Sequence, residues 1–101
     1  MELESYLDQF QAHNTEIIAV TSDKRPIVEA TVTRLELTFP MLADPDLRIT
    51  ILYGILHPME FLPRPATFVI DQSGKVRYRY IGQDVHDRPP AEALLEILKR
   101  L

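Results

Sequence analysis

Arg64-Pro65-Ala66-Thr67-Phe68-Val69-Ile70-Asp71 runs into Gln72-Ser73-Gly74 and then into Lys75-Val76-Arg77-Tyr78-Arg79-Tyr80-Ile81. Residues 66–71 form a short, largely apolar block, which suits a buried strand. Gln72-Ser73-Gly74 is a turn, with the glycine free to take positive φ. Residues 75–81 alternate, with Val76, Tyr78 and Tyr80 on one face and Arg77 and Arg79 on the other. That pattern predicts an antiparallel hairpin whose second strand has one wet face.

Working outward, residues 82–89 form a polar loop. Pro90 then opens a last helix carrying Leu94, Leu95, Leu98 and Leu101, with Lys99 and Arg100 near its C-terminal end. Upstream, Pro58 and Pro63 keep residues 55–64 irregular. Asp44-Pro45 predicts a helix start, with Leu47, Ile51 and Leu52 inside the helix and Gly54 ending it. Residues 39–42 suit a small strand. Thr21-Ser22-Asp23 offers capping oxygens before Pro26, and Val28, Val32 and Leu35 make a helical stripe. Ile17-Ile18-Ala19-Val20 reads as a buried parallel strand. Leu3, Tyr6, Leu7 and Phe10 fall at i, i+3, i+4 and i+7 of a first helix, which Asn14 stops. The predicted order is α-β-α-(β)-α-β-β-α, in a single domain over residues 1–101. The expected core is Leu7, Phe10, Ile18, Val20, Phe68, Ile70, Val76, Leu94, Leu95 and Leu98.

Composition excludes several classes. The 101 residues are 46% hydrophobic and 26% charged, an ordinary globular mix. A net charge of -4 argues against general attraction to nucleic acid or anionic membranes. No apolar run approaches the roughly 18–20 residues of a membrane helix. The acidic start Met1-Glu2-Leu3-Glu4 is unlike a signal peptide, so the expected compartment is the cytoplasm. The cysteine count is zero, so thiol chemistry, disulfides and zinc–thiolate sites are excluded for these residues.

Four stretches carry a resemblance. They are Ile-Ile-Ala-Val-Thr-Ser-Asp at 17–23, Phe-Pro-Met-Leu-Ala-Asp-Pro-Asp-Leu-Arg from Phe39 with Tyr53-Gly54 beyond it, Arg-Pro-Ala-Thr-Phe-Val-Ile-Asp at 64–71, and Asp87-Arg88-Pro89. In order and spacing they resemble the peroxiredoxin-like redoxins of the AhpC/TSA family. The resemblance implies an α/β, thioredoxin-like three-layer sandwich. It implies that the first β-strand and the redox turn with its cysteine are missing, and that Met1 falls where the following helix is already under way. The family's sheet order would put the missing strand between the strands at 17–20 and 66–71. Two repairs of that gap are expected: direct closure of one strand on the other, or cover by a second chain, as in a homodimer. A lone chain with the gap open would count against this argument.

The resemblance also marks Arg64 and Pro65. They would form a substrate-facing loop with a cis Arg64-Pro65 bond, although the family's thiolate-stabilising arginine lies nearer the position of Pro65. Read from the residues alone, the same pair is an ordinary turn leading into a strand, with an exposed arginine. Asp44 reads as a helix cap and Asp71 as a turn former. Glu92 and Glu96 share a solvated helix face, with Glu96 placed to pair with Arg100. His13, His57 and His86 lack ligand spacing, so no metal and no cofactor is expected. Lys75, Arg77 and Arg79 make a basic ribbon, read as solvated and not as a nucleic-acid surface. No residue of the chain is expected to be catalytic. The family's activity, thiol-dependent peroxide reduction or thiol–disulfide exchange with a thioredoxin-type reductant, would require a longer form carrying cysteine.

Overall fold

The computed structural model describes residues 2–84 and 86–101. Two short helices come first, α1 (Glu2–Ser5) and α2 (Leu7–Ala12), separated at Tyr6, whose φ of -104° leaves the helical range. Asn14 takes the left-handed conformation expected of a stop, at φ 54°. Strand β1 (Ala19–Thr21) leads to α3 (Arg25–Leu35), then to β2 (Met41–Ala43) and α4 (Arg48–Leu52). Strands β3 (Ala66–Ile70) and β4 (Val76–Ile81) form the hairpin, and α5 (Ala91–Lys99) ends the chain.

The main core is a cluster of Phe10, Ala91, Leu94 and Leu95, all buried. Leu3, Tyr6, Ile17, Val69, Tyr78 and Leu98 pack against it. The first helices and α5 thus form a floor under both strand pairs. Polar ties hold that floor together. The Glu2 carboxylate accepts the Ala91 N–H at 2.6 Å, placing negative charge at the N-terminus of α5. The Tyr6 hydroxyl donates to Glu92 at 3.0 Å, and Glu4 accepts from the Thr38 N–H and hydroxyl. Val28, Leu37 and Phe39 are buried around α3. The chain leaves α3 through Glu36 in the left-handed region, φ 52°.

The sheet is split. β1 pairs with β2 in parallel, Ala19 opposite Met41 and Thr21 opposite Ala43. β3 pairs with β4 antiparallel, Ala66 opposite Ile81 and Val69 opposite Tyr78. Neither pair is hydrogen-bonded to the other. This is the layered α/β fold with its central strand absent. It also corrects one of the two expected repairs, direct closure of one strand on the other, because the gap stays open within the chain. The argument assumed buried edges that must find partners, but these edges are wet. Ile18 is 59% exposed, Val20 42% and Ile70 48%. Direct closure is opposed by the floor, on which Ile17 and Val69 are anchored separately.

The expected core is corrected with it. Phe10, Leu94 and Leu95 are buried, and Leu98 packs beside them, whereas Ile18, Val20, Ile70 and Val76 face water. At both strands the residue one step earlier, Ile17 or Val69, points to the helices. Val76 departs for a further reason. The register changes between Val69 and Ile70, where Ile70 pairs with Val76 although Val69 pairs with Tyr78. Arg77 is therefore an extra, bulged residue. One inserted residue turns the strand beyond it to the other face, so Val76 does not share a face with Tyr78.

Two helix starts also differ from expectation. The N-cap of α3 is Lys24, without a side-chain hydrogen bond. Asp44 does hold a helix start, but α4 begins at Arg48, after Leu47 in the left-handed region at φ 61°. The buried Asp44 carboxylate accepts the N–H groups of Arg48, Ile49 and Thr50 and the Thr50 hydroxyl, at 2.9–3.4 Å.

Candidate functional site

The candidate loop of Arg64 and Pro65 is tied down on two sides. Behind it, Leu56 and Pro63 form an isolated antiparallel bridge, and the Arg64 N–H donates to the Ile55 carbonyl at 2.8 Å. The loop between them is closed by His57. Its N–H donates to the Leu62 carbonyl at 2.8 Å, and its Nδ1 accepts the N–H groups of Met59 and Glu60 at 3.2 Å. This arrangement gives His57 a local structural role in place of a ligand role. The Arg64-Pro65 bond is trans, which corrects the expectation of a cis bond there.

In front, the Pro65 carbonyl accepts the Gly82 N–H at 2.7 Å. Gly82 is buried, and a Cβ there would collide with the Asp87 backbone carbonyl and stand 3.0 Å from the Pro65 ring. The absence of a side chain is what lets the loop after β4 fold back onto Pro65. Asp87 then locks that loop. Its carboxylate accepts the Tyr80 hydroxyl at 2.5 Å and the Gln83 N–H at 2.7 Å. These bonds hold the Asp87 carboxyl below the usual carboxylate range, the Tyr80 hydroxyl contributing most. The same bond pushes the Tyr80 phenol up. The residue pair that fixes the Asp87-Arg88-Pro89 stretch, Tyr80 with Asp87, spans strand and loop.

The other candidates lie elsewhere. Asp71 sits at the hairpin turn, where it accepts from the Ser73 N–H and hydroxyl and the Lys75 N–H, with Arg77 at 3.4 Å. The Ser73 hydroxyl is the largest cause that lowers its carboxyl to about 2. Arg77 therefore turns to the hairpin's own carboxylate, and Arg79 stands opposite Phe68. Glu96 pairs with Lys99 at 3.2 Å, one residue short of the expected Arg100. Among the described residues, no three histidine, aspartate or glutamate side chains converge on a point that would hold a metal. A shallow apolar hollow of about 590 Å³ lies on the open face of the hairpin, lined by Leu52, Tyr53, Phe68, Ile70, Val76 and Arg79, with Tyr53 and Phe68 edge to face at 4.8 Å. The backbones of Arg64 and Pro65 and the Asp87 carboxylate are engaged in holding the chain's own loops together. No side chain among them is a nucleophile suited to peroxide.

Fold and site together define a thioredoxin-like α/β protein whose central sheet is interrupted. The AhpC/TSA family profile matches residues 1–79, and the chain belongs to that family. It is 26% identical over 84 residues to alkyl hydroperoxide reductase E of Mycobacterium tuberculosis, as it is to the Mycobacterium bovis protein of that name. That match takes in 81% of this chain and 55% of the relative, so the chain spans about half the length of the curated relatives it matches. Solved structures agree on the fold. Enterococcus faecalis AhpC superposes with a TM-score of 0.85 at 24% identity, over 98% of this chain and 61% of that one. Reduced Prx3 of Vibrio vulnificus, in complex with hydrogen peroxide, gives 0.81 at 21% identity, over 97% and 65%.

Proposed function

We propose that this chain is a redox-inactive portion of a peroxiredoxin-like domain, a single unit over residues 1–101, that acts by associating with another polypeptide. The observation that carries the proposal is the zero cysteine count within an AhpC/TSA family chain. The family's first step needs a thiolate to attack the peroxide oxygen, and no residue of this chain can supply one. In that role Arg64 and Pro65 form a wall facing whatever enters the gap, and their hydrogen-bonded setting supports a positioning part. A cytoplasmic setting belongs to the proposal, and fractionation of source cells tests it. The direct test mixes purified chain with hydrogen peroxide or an alkyl hydroperoxide and a dithiol or thioredoxin-type reductant. No peroxide loss above the blank is expected, and loss that scales with the chain overturns the proposal.

A second reading rests on the share of its relatives that the chain spans, 55%. In it, these residues are part of a longer, active thiol peroxidase. The intact mass of the endogenous protein separates the two. A mass of 11.7 kDa, that of these residues, favours the first. A larger mass with cysteine-containing sequence favours the second.

A further inference from the structure

We infer that His57 is a proton-operated latch: its neutral imidazole holds the loop of residues 57–62 closed, and on gaining a proton it lets the loop open. The inference concerns a device within this chain, and it stands whether or not the chain associates with a partner.

The loop is one helix-like turn with a histidine as its cap. The His57 carbonyl accepts the Phe61 N–H at 3.0 Å, and the His57 ring accepts the Met59 and Glu60 N–H groups through Nδ1 at 3.2 Å each. His57 thus occupies the place of a capping aspartate or serine, with its acceptor turned to the second and third N–H groups that follow. Pro58 takes the first position, where a missing N–H costs nothing. Phe61 closes the turn in the left-handed region at φ 53°, and the His57 N–H donates to the Leu62 carbonyl at 2.8 Å. Among the described residues, neither the Met59 nor the Glu60 N–H has a backbone acceptor, so both depend on the ring nitrogen.

That cap works in one protonation state. To accept, Nδ1 must keep its lone pair, so the neutral ring carries its proton on Nε2. A second proton goes to Nδ1 and sets a donor against two donors. It also places positive charge against the positive ends of both N–H bonds. The proton and the closed turn therefore exclude each other, so the turn is held at higher pH and released at lower pH. An aspartate cap would not respond near neutrality, whereas histidine is the side chain that changes charge between about pH 5 and 8. Glu60 within the turn and Arg64 just beyond it are the charged residues of this segment. Among the described residues, no charged side chain of this or any other element is hydrogen-bonded or ion-paired to the ring.

Release changes what the loop displays. Met59, Phe61 and Leu62 are 81%, 67% and 50% exposed, an apolar tip on a fixed turn. A bulky residue holds positive φ only where its surroundings require it. With the cap gone, Phe61 returns to ordinary backbone and the tip loses its fixed presentation. The base of the loop stays fastened by the Leu56–Pro63 bridge and by the Arg64 N–H on the Ile55 carbonyl.

The test follows amide exchange in the full 101-residue chain at about pH 7.5 and about pH 5.5, each rate taken relative to an unstructured chain at the same pH. Protection at Met59 and Glu60 is expected to fall about fivefold or more on acidification, the effect of losing a helix cap. The hairpin amides of Thr67 and Val69 keep theirs. His57→Asn offers an uncharged oxygen acceptor in place of Nδ1 and should protect both amides equally at the two pH values. His57→Ala should leave them unprotected at both. Protection in the parent chain that does not change with pH overturns the inference, as does its absence at the higher pH. An equal fall in His57→Asn overturns it by assigning the proton to another group. A fall shared by Thr67 and Val69 also overturns it, because the chain would then be opening as a whole.

Discussion

Asp87 receives two donors with two oxygens, the Tyr80 hydroxyl and the Gln83 N–H. Asparagine replaces one of those oxygens by an amide NH2, so Asp87→Asn sets a donor against one of the two donors and removes the negative charge beside the phenol. The Tyr80 pKa is then expected to fall back toward the ordinary value near 10. Ultraviolet titration, with Tyr80→Phe subtracted to isolate this phenol, reads the change, and an unmoved curve would mean that the bond does not form in solution. Asp71 gives a prediction of opposite direction in pH. Its folded carboxyl is lowered to about 2 by the Ser73 hydroxyl and the Lys75 N–H. A depressed carboxylate stabilises the fold above its unfolded pKa of about 3.9, and that contribution is lost as pH falls toward 2. The urea midpoint of the parent chain should therefore exceed that of Asp71→Asn by a constant margin from neutral pH to about 5. The margin should close between about 4 and 2, and a margin independent of pH would assign Asp71 a merely steric role.

At the scale of elements, strand phase separates what was legible in the sequence from what was not. Helix spacing picked out Phe10, Leu94 and Leu95 as core, because a helix buries one stripe and the stripe is written in the sequence. Strands apolar on both faces carry no such mark. Ile17 and Ile18, or Val69 and Ile70, are equivalent by composition, and only the helical floor decides which of each pair is covered. The bulge at Arg77 was silent for a similar reason: strict alternation cannot show an extra residue that the partner strand does not match. The candidate loop was legible as a pair, Arg64 with Pro65, but its fastening through Gly82 and Asp87 depends on contacts between separated residues. The phase assignment is testable by paired truncation. Val69→Ala should lower stability by about 1–2 kcal/mol, as removal of packed methyl groups does. Ile70→Ala should stay within about 0.5 kcal/mol, as surface changes do. Urea denaturation of both variants decides it, and a reversed order would mean that the strand is turned the other way.

For the whole molecule, the open gap between the two strand pairs separates exposure from stability. The radius of gyration is 13.8 Å, against about 12.7 Å expected for a compact domain of this length. Ile18 and Ile70 contribute apolar surface that folding does not remove from water. The described chain should bind an apolar dye such as anilinonaphthalene sulfonate before any unfolding. Ile18→Lys with Ile70→Lys should reduce dye fluorescence, because it removes exposed apolar surface. The urea midpoint should correspond to a change within about 0.5 kcal/mol per site, since neither side chain belongs to the Phe10 cluster. A loss of several kcal/mol would place the two isoleucines in a dry interior and would contradict the open gap between the strand pairs. Reduced dye binding with unchanged stability is the result an unfilled one-strand gap requires.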